Sequence, residues 1–421
     1  MLLLNCTHVG ILTCLFIMTT GPQATGAEHR LSNDEPLRQL ATLVNQITVL
    51  NPEIQAAQAA LDAARANLTG ADLPLNNPEF EIEAVRTDIN TLTLGLSQTI
   101  DWHDKQAALT QSAQAELAVK TLSLDALKQT KASEILSAVT EISINNEISV
   151  QSARRSELLS RFVQLAEQRF VAGDIAQSEL ELARLSLAEA MIEDTEIRLV
   201  SIRTRNDFLS LSGHTLESRI NYFDRYPNQL PNVLDDSSLA QRHPQVKLSQ
   251  QSAQLARMNI HAIDQQRKPD PNIGFSAGRE GDETLLALSL SIPLQIRNDF
   301  QSRVDAAQAL AIQAEQNTQQ TLRTVLAAIK SARERYGLIS DAWSQWTSLG
   351  RTSLEQHSVL LETQWQAGEM STSDYLLQIK QAIDTRIAGL KLKGELWNAW
   401  TAWLTASGTL NSWLIITAEE R

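Results

Sequence analysis

The chain has 421 residues, an aromatic content of 5% and a formal net charge of −13 at neutral pH. This acidic balance argues against binding to the phosphate backbone of nucleic acid, which depends on clustered Lys and Arg side chains, so we expect no nucleic-acid partner. The low aromatic content, with alanine, leucine and glutamine filling long stretches, favours long packed helices over compact cores.

The N-terminal segment has the features of an export signal. Residues 1–27 carry no charged side chain and include an apolar run over 9–18, followed by small residues at 24–27. This pattern predicts a secretory signal peptide over 1–27, and an uncleaved anchor is the alternative. Cys6 and Cys14 both precede the expected cleavage point, so the mature chain would have no disulfide and no thiolate metal site.

Two segments have the composition of unusually long helices. Residues 104–172 contain neither glycine nor proline, which predicts one uninterrupted helix of about 100 Å at 1.5 Å per residue. Its apolar positions recur at three and four residues, so it needs partner helices along its whole length. A second segment, 300–336, also lacks both residues, and its helical pattern predicts a long helix over 297–367.

The two halves of the chain match each other in order. The matched features are Pro52 with Pro244, Pro78 with Pro271, Leu92–Ser97 with Leu286–Ser291, and Gly173 with Gly368. Their separations rise only from 192 to 195 residues, which indicates an internal duplication of one large unit. We therefore divide the chain into a first repeat at 28–213, an equatorial linker at 214–243, a second repeat at 244–408 and a C-terminal tail at 409–421.

Each repeat carries two short segments in which apolar and polar residues alternate. The alternation predicts strand pairs at 79–101 and 272–293. Strands of this length, apolar on one face and polar on the other, suit a transmembrane barrel, while ordinary hairpins on a soluble core are the alternative. Four strands cannot close a barrel and open edges cannot face lipid, so a membrane location requires several copies of the chain to pool their strands.

Each long helix is followed by a glycine turn and a returning helix. The returning helices are predicted over 174–212 and 371–406. Gly173 and Gly368 can supply the left-handed conformation that ends a helix. Ser178 and Glu181 have the spacing of a capping box at the start of the first returning helix.

The duplicated order of helix, strand pair, long helix, glycine tip and returning helix resembles the TolC-like outer membrane efflux family, over nearly the whole mature chain. At both tips, the fifth and sixth residues after the glycine are serine and an acidic residue. The resemblance implies a mainly α fold with a small transmembrane β part. It further implies a homotrimer in which long antiparallel helices form a periplasmic α-barrel and twelve strands form an outer membrane β-barrel.

The resemblance also implies a function. Members of this family are passive exit ducts in the outer membrane that work with a periplasmic adaptor and an inner-membrane pump of the RND type. The segments Ser291–Leu294, with Asn298, and Gly95–Gln98 are most similar to the CzcC-like branch, which implies heavy-metal cations as the cargo. A periplasmic coiled-coil adaptor or scaffold without a membrane barrel is the alternative.

The resemblance suggests candidate site residues. The candidates for the pore or gate are Asp374, Glu179, Glu81 and Glu83, and those for the periplasmic tips that dock the adaptor are Gly173, Ser178, Gly368 and Ser373. Family tunnels narrow at acidic rings near Asp374, although Leu377 stands where some relatives carry a second acid. The alternatives are that Asp374 and Glu179 are ordinary helix-start acids and that Glu81 and Glu83 lie on a solvated strand face.

No catalytic or metal-binding pattern is present in the sequence. The histidines outside the leader are isolated from one another, which predicts no metal site. The chain has no nucleophile elbow, P-loop or dinucleotide glycine motif, so we expect neither an enzyme nor a cofactor. Trp397, Trp400 and Trp403 follow one another at three-residue spacing, which is more typical of a packed helix stripe than of a binding cage.

Overall fold

A computed structural model describes residues 35–86, 88–216, 235–367 and 369–419. The predicted signal peptide, residues 217–234 of the predicted linker, and Gly368 lie outside these ranges.

The first repeat consists of four helices and a strand pair. They are α1 (Glu35–Leu50), α2 (Pro52–Ala71), β1 (Glu79–Arg86), β2 (Asn90–Thr99), α3 (Lys105–Ala172) and α4 (Gln177–Ser212). Helix α3 is 68 residues long and lies where the absence of glycine and proline predicts a single helix. It ends at Gly173, whose φ of 80° is a left-handed conformation that glycine adopts without steric cost.

The predicted linker contains α5 (Asp236–Arg242). The second repeat has the order of the first from α2 onward, with α6 (Pro244–Gln266), β3 (Asn272–Glu280), β4 (Glu283–Ser291), α7 (Gln301–Gln345), α8 (Arg351–Gln366) and α9 (Thr372–Ala406). The C-terminal tail contains α10 (Leu410–Glu419). Helix α7 begins four residues later than the predicted start at residue 297. The reason is local, since the side chains of Asn298 and Asp299 accept the backbone N–H groups of Phe300 and Gln301 before the helix starts.

A π-helical turn, Trp346–Gly350, separates α7 from α8 within the predicted long helix. The indole ring of Trp346 lies against two glycines. A β-carbon at Gly389 of α9 would come within 2.5 Å of this ring, and one at Gly350 within 2.3 Å. The packing of one large side chain between helices therefore accompanies the irregular turn, while the helical path continues.

The four strands form one antiparallel sheet in the order β1-β2-β3-β4. The register places Ile82 opposite Leu94, Leu94 opposite Ala277 and Ala277 opposite Leu286. One face of the sheet is consequently apolar across all four strands. The large exposed side chains on this face are Phe80, Ile82, Leu92, Leu94, Leu96, Ile273, Phe275, Leu286, Leu288 and Leu290. The opposite face carries mainly serine, threonine, glycine and glutamate, together with Val85, Leu285 and Ala287.

The main hydrophobic core lies midway along the long helices. It combines side chains from α1, α3, α4, α5, α6, α7, α9 and α10, including Leu40, Ile135, Ile329, Trp397 and Leu410, all fully buried. Trp400 and Trp403 are buried in the same cluster, so the tryptophan stripe is packed, as its spacing predicts. None of the described helices is both long and apolar enough to cross a membrane.

Equivalent capping contacts tie α2 and α6, the helices that precede the two strand pairs, to the end of the returning helix of the same repeat. The Asn51 side chain accepts the N–H of Glu53 (2.9 Å) and donates to the Leu211 carbonyl (3.1 Å). At the matching position, Nδ1 of His243 accepts the N–H of Gln245 (3.2 Å) and Nε2 lies 3.1 Å from the Thr405 carbonyl. The imidazole makes both bonds only when it is neutral and protonated at Nε2.

We expect this contact to make stability depend on pH. Burial lowers the pKa of His243 from its usual value of 6.5, and the hydrogen bond to the Thr405 carbonyl opposes that shift. The unfolded chain then binds the extra proton more readily than the folded chain. The contribution of His243 to the free energy of unfolding should be complete above the unfolded pKa and decrease as the pH falls toward the folded pKa.

Chemical unfolding of the wild-type protein and of His243→Asn, measured on either side of pH 6.5, tests this expectation. Asparagine keeps a capping group like that of Asn51 and does not titrate. The variant should lose less stability than the wild type on acidification. An equal loss in both proteins would show that His243 does not contribute to the pH dependence.

Candidate functional site

At the first hairpin tip, the acidic candidate Glu179 lies at the start of α4. Its carboxylate accepts the backbone N–H of Ala176 (3.3 Å). The predicted capping box of Ser178 and Glu181 is wrong, because the helix begins one residue before Ser178. Ser178 is therefore inside the first turn, and Glu179 takes the position from which a side chain reaches back to the helix start.

At the second tip, Asp374 is part of the cap of α9. The Ser371 hydroxyl accepts the N–H of Asp374 (3.1 Å) and donates to its carboxylate (2.7 Å). Ser373 is exposed beside this cap, with its hydroxyl 3.1 Å from that of Ser371. Asp374 is itself exposed, so its carboxylate is positioned both to interact with the helix dipole and to face solvent.

An aromatic stack fixes the two tips relative to each other. Phe162 of α3, Trp365 of α8 and Tyr375 of α9 lie with ring centroids 4.8 to 5.3 Å apart. The guanidinium of Arg169 lies 4.9 Å from the centroid of the Trp365 ring. Because these side chains come from both repeats, their packing couples the end of one hairpin to the end of the other.

On the side of this stack away from the tips, charged pairs join α9 to the helices of the first repeat. Arg155 of α3 is only 3% exposed and lies between Glu193 of α4 and Asp384 of α9, the latter at 3.3 Å. Lys380 of α9 pairs with Glu189 of α4. Further along α9 are two more contacts, Arg386 with Gln151 and Lys393 with Glu147. We call this set of contacts the polar seam, and parting the two hairpins requires breaking it.

Within the polar seam, the carboxylate of Glu189 is charged at neutral pH. The hydrogen bond from Lys380 lowers the pKa of the Glu189 carboxyl, and burial opposes this shift. Beside the pair lies a cavity of about 270 Å³, lined by Leu182, Leu376 and Leu377 among others. The seam therefore borders both this cavity and a buried apolar cluster that includes Leu159, Leu376 and Ile379.

Sequence reasoning missed the polar seam. Charged residues are common on helices, and most lie in solvent, so their presence alone predicts no pairing. One signal was available. Arg155 continues the three- and four-residue series of buried positions in α3 that contains Ser152, Leu159 and Phe162, and a cation in such a series implies an acidic partner.

Glu81 and Glu83 lie together on the polar face of β1, opposite the apolar face. Ser97 donates a hydrogen bond to Glu81 (3.4 Å), and both carboxylates are exposed. Helix α3, about 100 Å long, separates the strands from the hairpin tips. The structure therefore divides the four acidic candidates into two distant pairs, one on the sheet and one at the tips.

Within the described ranges, no group of three or more His, Cys, Asp or Glu side chains is arranged to hold a metal ion.

Comparison with known proteins identifies the fold. No family model matches the chain, and no curated protein matches it in sequence. Solved structures do match. The outer membrane channel CmeC of Campylobacter jejuni gives a TM-score of 0.73 at 15% identity, over 99% of this chain and 97% of that one.

Two further structures agree. CusC, whose structures concern folding and transmembrane channel formation, gives a TM-score of 0.71 at 14% identity, covering 88% of this chain and 92% of its own. The outer membrane channel MtrE of Neisseria gonorrhoeae, in its open state, gives 0.70 at 13% identity, covering 88% and 89%. The predicted fold class, mainly α with four strands in a duplicated chain, is confirmed, and the chain has the fold of these channels.

We expect Arg155 to supply a large part of the free energy with which the polar seam holds the helices together. Arg155→Gln removes hydrogen bonds to two carboxylates, each worth about 1.5–3 kcal/mol when charge-assisted. Hydrogen exchange of α9 around Asp384 should become faster. Arg154→Gln is the matched control because Arg154 is an exposed neighbour, and it should leave the exchange rates unchanged. Equal exchange in the two variants would remove Arg155 from this role.

Proposed function

We propose that this chain, with the fold of outer membrane channels, forms the exit duct of a tripartite efflux system. Three copies would build one channel in the outer membrane, continued by a helical tunnel through the periplasm. The channel is passive and performs no catalysis. An inner-membrane pump of the RND type supplies the energy, and a periplasmic adaptor connects the pump to the duct.

The observation that carries the proposal is the exposed apolar face of the sheet. Ten large apolar side chains from four strands lie side by side on it, and Leu288 is 79% exposed. Soluble proteins rarely leave so continuous an apolar surface in water. Strands of 8 to 10 residues, when tilted, are close to the length that crosses the hydrocarbon core of a bilayer.

The free strand edges favour assembly of several copies. Among the described residues, β1 and β4 are each paired on one side only. Unpaired backbone groups cannot face lipid, because each costs several kcal/mol in the absence of water. A single chain with this sheet is therefore unsuited to the membrane, whereas a closed ring of copies satisfies every edge.

Helix α4 provides a second surface for self-association. Leu185, Ile192 and Leu199 recur every seven residues and are 60 to 68% exposed. A seven-residue repeat of apolar side chains is the pattern by which long helices pack side by side. We assign this stripe to contacts between helices of neighbouring copies in the tunnel wall.

The hairpin tips are the proposed docking site for the adaptor. Gly173, Ser178 and Ser373 lie in the turns or in the first helical turns at the end distant from the sheet; Gly368, the matching glycine, is proposed for the same role. Placing the sheet in the outer membrane directs these tips toward the periplasm. The adaptor would therefore contact residues about 100 Å from the lipid.

Heavy-metal cations are the proposed cargo. The support is the likeness of Ser291–Leu294 and Gly95–Gln98 to the CzcC-like branch, together with carboxylates on the proposed conduction path. Glu81 and Glu83 lie on the sheet face that would line the lumen, and Asp374 lies at the tunnel mouth. Their negative potential raises the local concentration of cations.

The first test is assembly in the membrane. The purified chain should have the mass of a trimer in mild detergent and should fractionate with outer membranes. Leu94→Arg and Leu288→Arg, on the proposed lipid face, should each destabilise the barrel by about 2–4 kcal/mol near the bilayer midplane. Ser289→Arg, on the lumenal face beside Leu288, is the matched control and should be milder.

A stable soluble monomer after export would exclude the duct and favour the coiled-coil adaptor or scaffold. Equal assembly defects in all three arginine variants would instead show that the two sheet faces are assigned wrongly.

The second test concerns the tunnel mouth. In single-channel recordings of intact trimers, Asp374→Asn should lower cation selectivity or weaken block by polyvalent cations, because a ring of carboxylates is lost. Glu179→Gln, at the equivalent helix start, is the matched variant and should have a smaller effect. If selectivity, conductance and block are all unchanged in Asp374→Asn, that residue is a helix cap and no gate.

A further inference from the structure

A cavity of about 840 Å³ lies where the sheet meets the helices of the second repeat. Its walls are the end of α6 with the residues that follow it, the segment 293–300 between β4 and α7, and the first turn of α7. Thr99, Asn272 and Ser291 form a further part of the lining. These three residues lie opposite one another in the strand register and belong to the polar face of the sheet, so the cavity adjoins that face.

The lining of this cavity is rich in cations. Its positively charged side chains are Lys105, Arg267, Lys268, Arg297 and Arg303, whereas Asp270 is the only carboxylate among the lining residues. The chain as a whole has a formal net charge of −13. A concentration of cations around one cavity of an acidic protein gives that cavity a local preference for anions.

Three of these cations are held in place by partners within the chain. Lys105 lies 2.8 Å from the carboxylate of Asp270. Arg267 and Lys268 share the carboxylate of Asp264, at 2.8 and 3.4 Å. An ammonium and a guanidinium each carry several N–H donors, so one carboxylate does not use them all. The contacts therefore fix the cations beside the cavity and leave them donors for a ligand.

Arg297 and Arg303 are more available. Both are exposed, and neither lies in an ion pair with an acidic side chain in the part of the chain that the structure describes. The guanidinium of Arg303 lies 5.1 Å from the centroid of the Phe300 ring, which also lines the cavity. This contact with the ring leaves the N–H donors at the edge of the guanidinium free to bind an anion.

The first repeat offers an internal comparison. The segments that carry Arg267, Lys268 and Arg297 match 74–78 and 99–104, at the separations of 193 and 194 residues found for the flanking features. Neither matching segment contains Lys or Arg, and the second contains two aspartates. Since both repeats have the same order of helix, strand pair and long helix, the fold of a repeat does not require cations at this place.

We propose that this cavity binds an anion that carries a phosphate group. The oxygens of a phosphate accept the paired N–H donors of a guanidinium in a bidentate geometry. A phosphate with more than one negative charge also gains more from several surrounding cations than a single carboxylate does. The volume of the cavity is in the range of small-molecule sites, so there is room for a phosphate ester as well as for the inorganic ion.

Two sources can supply this phosphate group. The polar face of the sheet beside the cavity favours a soluble phosphate that arrives from water. Leu294 and Ile296, which also line the cavity, are 77 and 84% exposed and would suit the acyl chains next to a lipid headgroup. The inference concerns groups of a single chain, so it does not depend on the proposed duct.

Calorimetric titration of the full chain, purified in mild detergent, tests the site. Inorganic pyrophosphate represents the soluble source, and a short-chain phosphatidylglycerol represents the lipid source. Arg297→Gln and Arg303→Gln should each weaken binding about tenfold or more, because a charge-assisted hydrogen bond is lost. Arg323→Gln is the matched control, since Arg323 is an exposed cation of the same helix as Arg303 and lies outside the cavity; it should leave the affinity unchanged.

The two probes separate the sources. Binding of pyrophosphate that both cavity variants weaken supports the site and assigns a soluble ligand to it. Weakening that occurs only with phosphatidylglycerol supports the phosphate site and assigns it to a lipid headgroup. Partition of this lipid into detergent is the same for every variant and does not imitate either result.

Two results overturn the proposal. One is the absence of binding with both probes. The other is an equal affinity in the wild type, in both cavity variants and in the control, which would place any binding elsewhere on the chain. Neither result bears on the duct, which mass measurement and membrane fractionation test separately.

Discussion

Backbone hydrogen bonding at the edges of the small sheet is the constraint on which the rest of the structure depends. Four strands satisfy three junctions and leave two edges open, and the apolar face prevents the sheet from lying in water. In the proposed channel, further copies of the chain complete both edges, and lipid covers the apolar face. The long helices then have a purpose beyond their own packing, since each holds its strand pair at a fixed distance and orientation from the hairpin tips.

The helices are held together differently along their length. Midway, aromatic and aliphatic side chains from eight helices form a buried core that tolerates little rearrangement. Nearer the tips, contact between the repeats combines the aromatic stack and a second buried apolar cluster, which includes Leu159, Leu180 and Leu376, with ion pairs such as Lys380 with Glu189, which contribute little each where they are exposed. The tip end therefore depends in part on polar contacts for which water competes.

Simple sequence patterns, such as the absence of glycine and proline, predicted most of the fold. The absence of glycine and proline over 104–172 predicts both ends of α3 to within one residue, because that stretch contains neither of the residues that most often end a helix. The π-helical turn at Trp346 was not predictable, because it accompanies packing against Gly389 on a different helix. At the candidate site, the cap at Ser371 and Asp374 follows from local spacing, whereas the partners of Arg155 come from two other helices and required the structure.

In the proposed ring, the two edges that meet are different strands, so the contact is head-to-tail. Such a contact closes only when the rotation per copy divides a full circle, and otherwise it continues as an open filament. In that ring the rotation would depend on the bend of the sheet. A β-carbon at Gly278 would lie 2.1 Å from the Leu92 carbonyl oxygen, so glycine at this position allows the close approach of β2 and β3. Through this approach, a glycine on a strand would contribute to the number of copies in the ring.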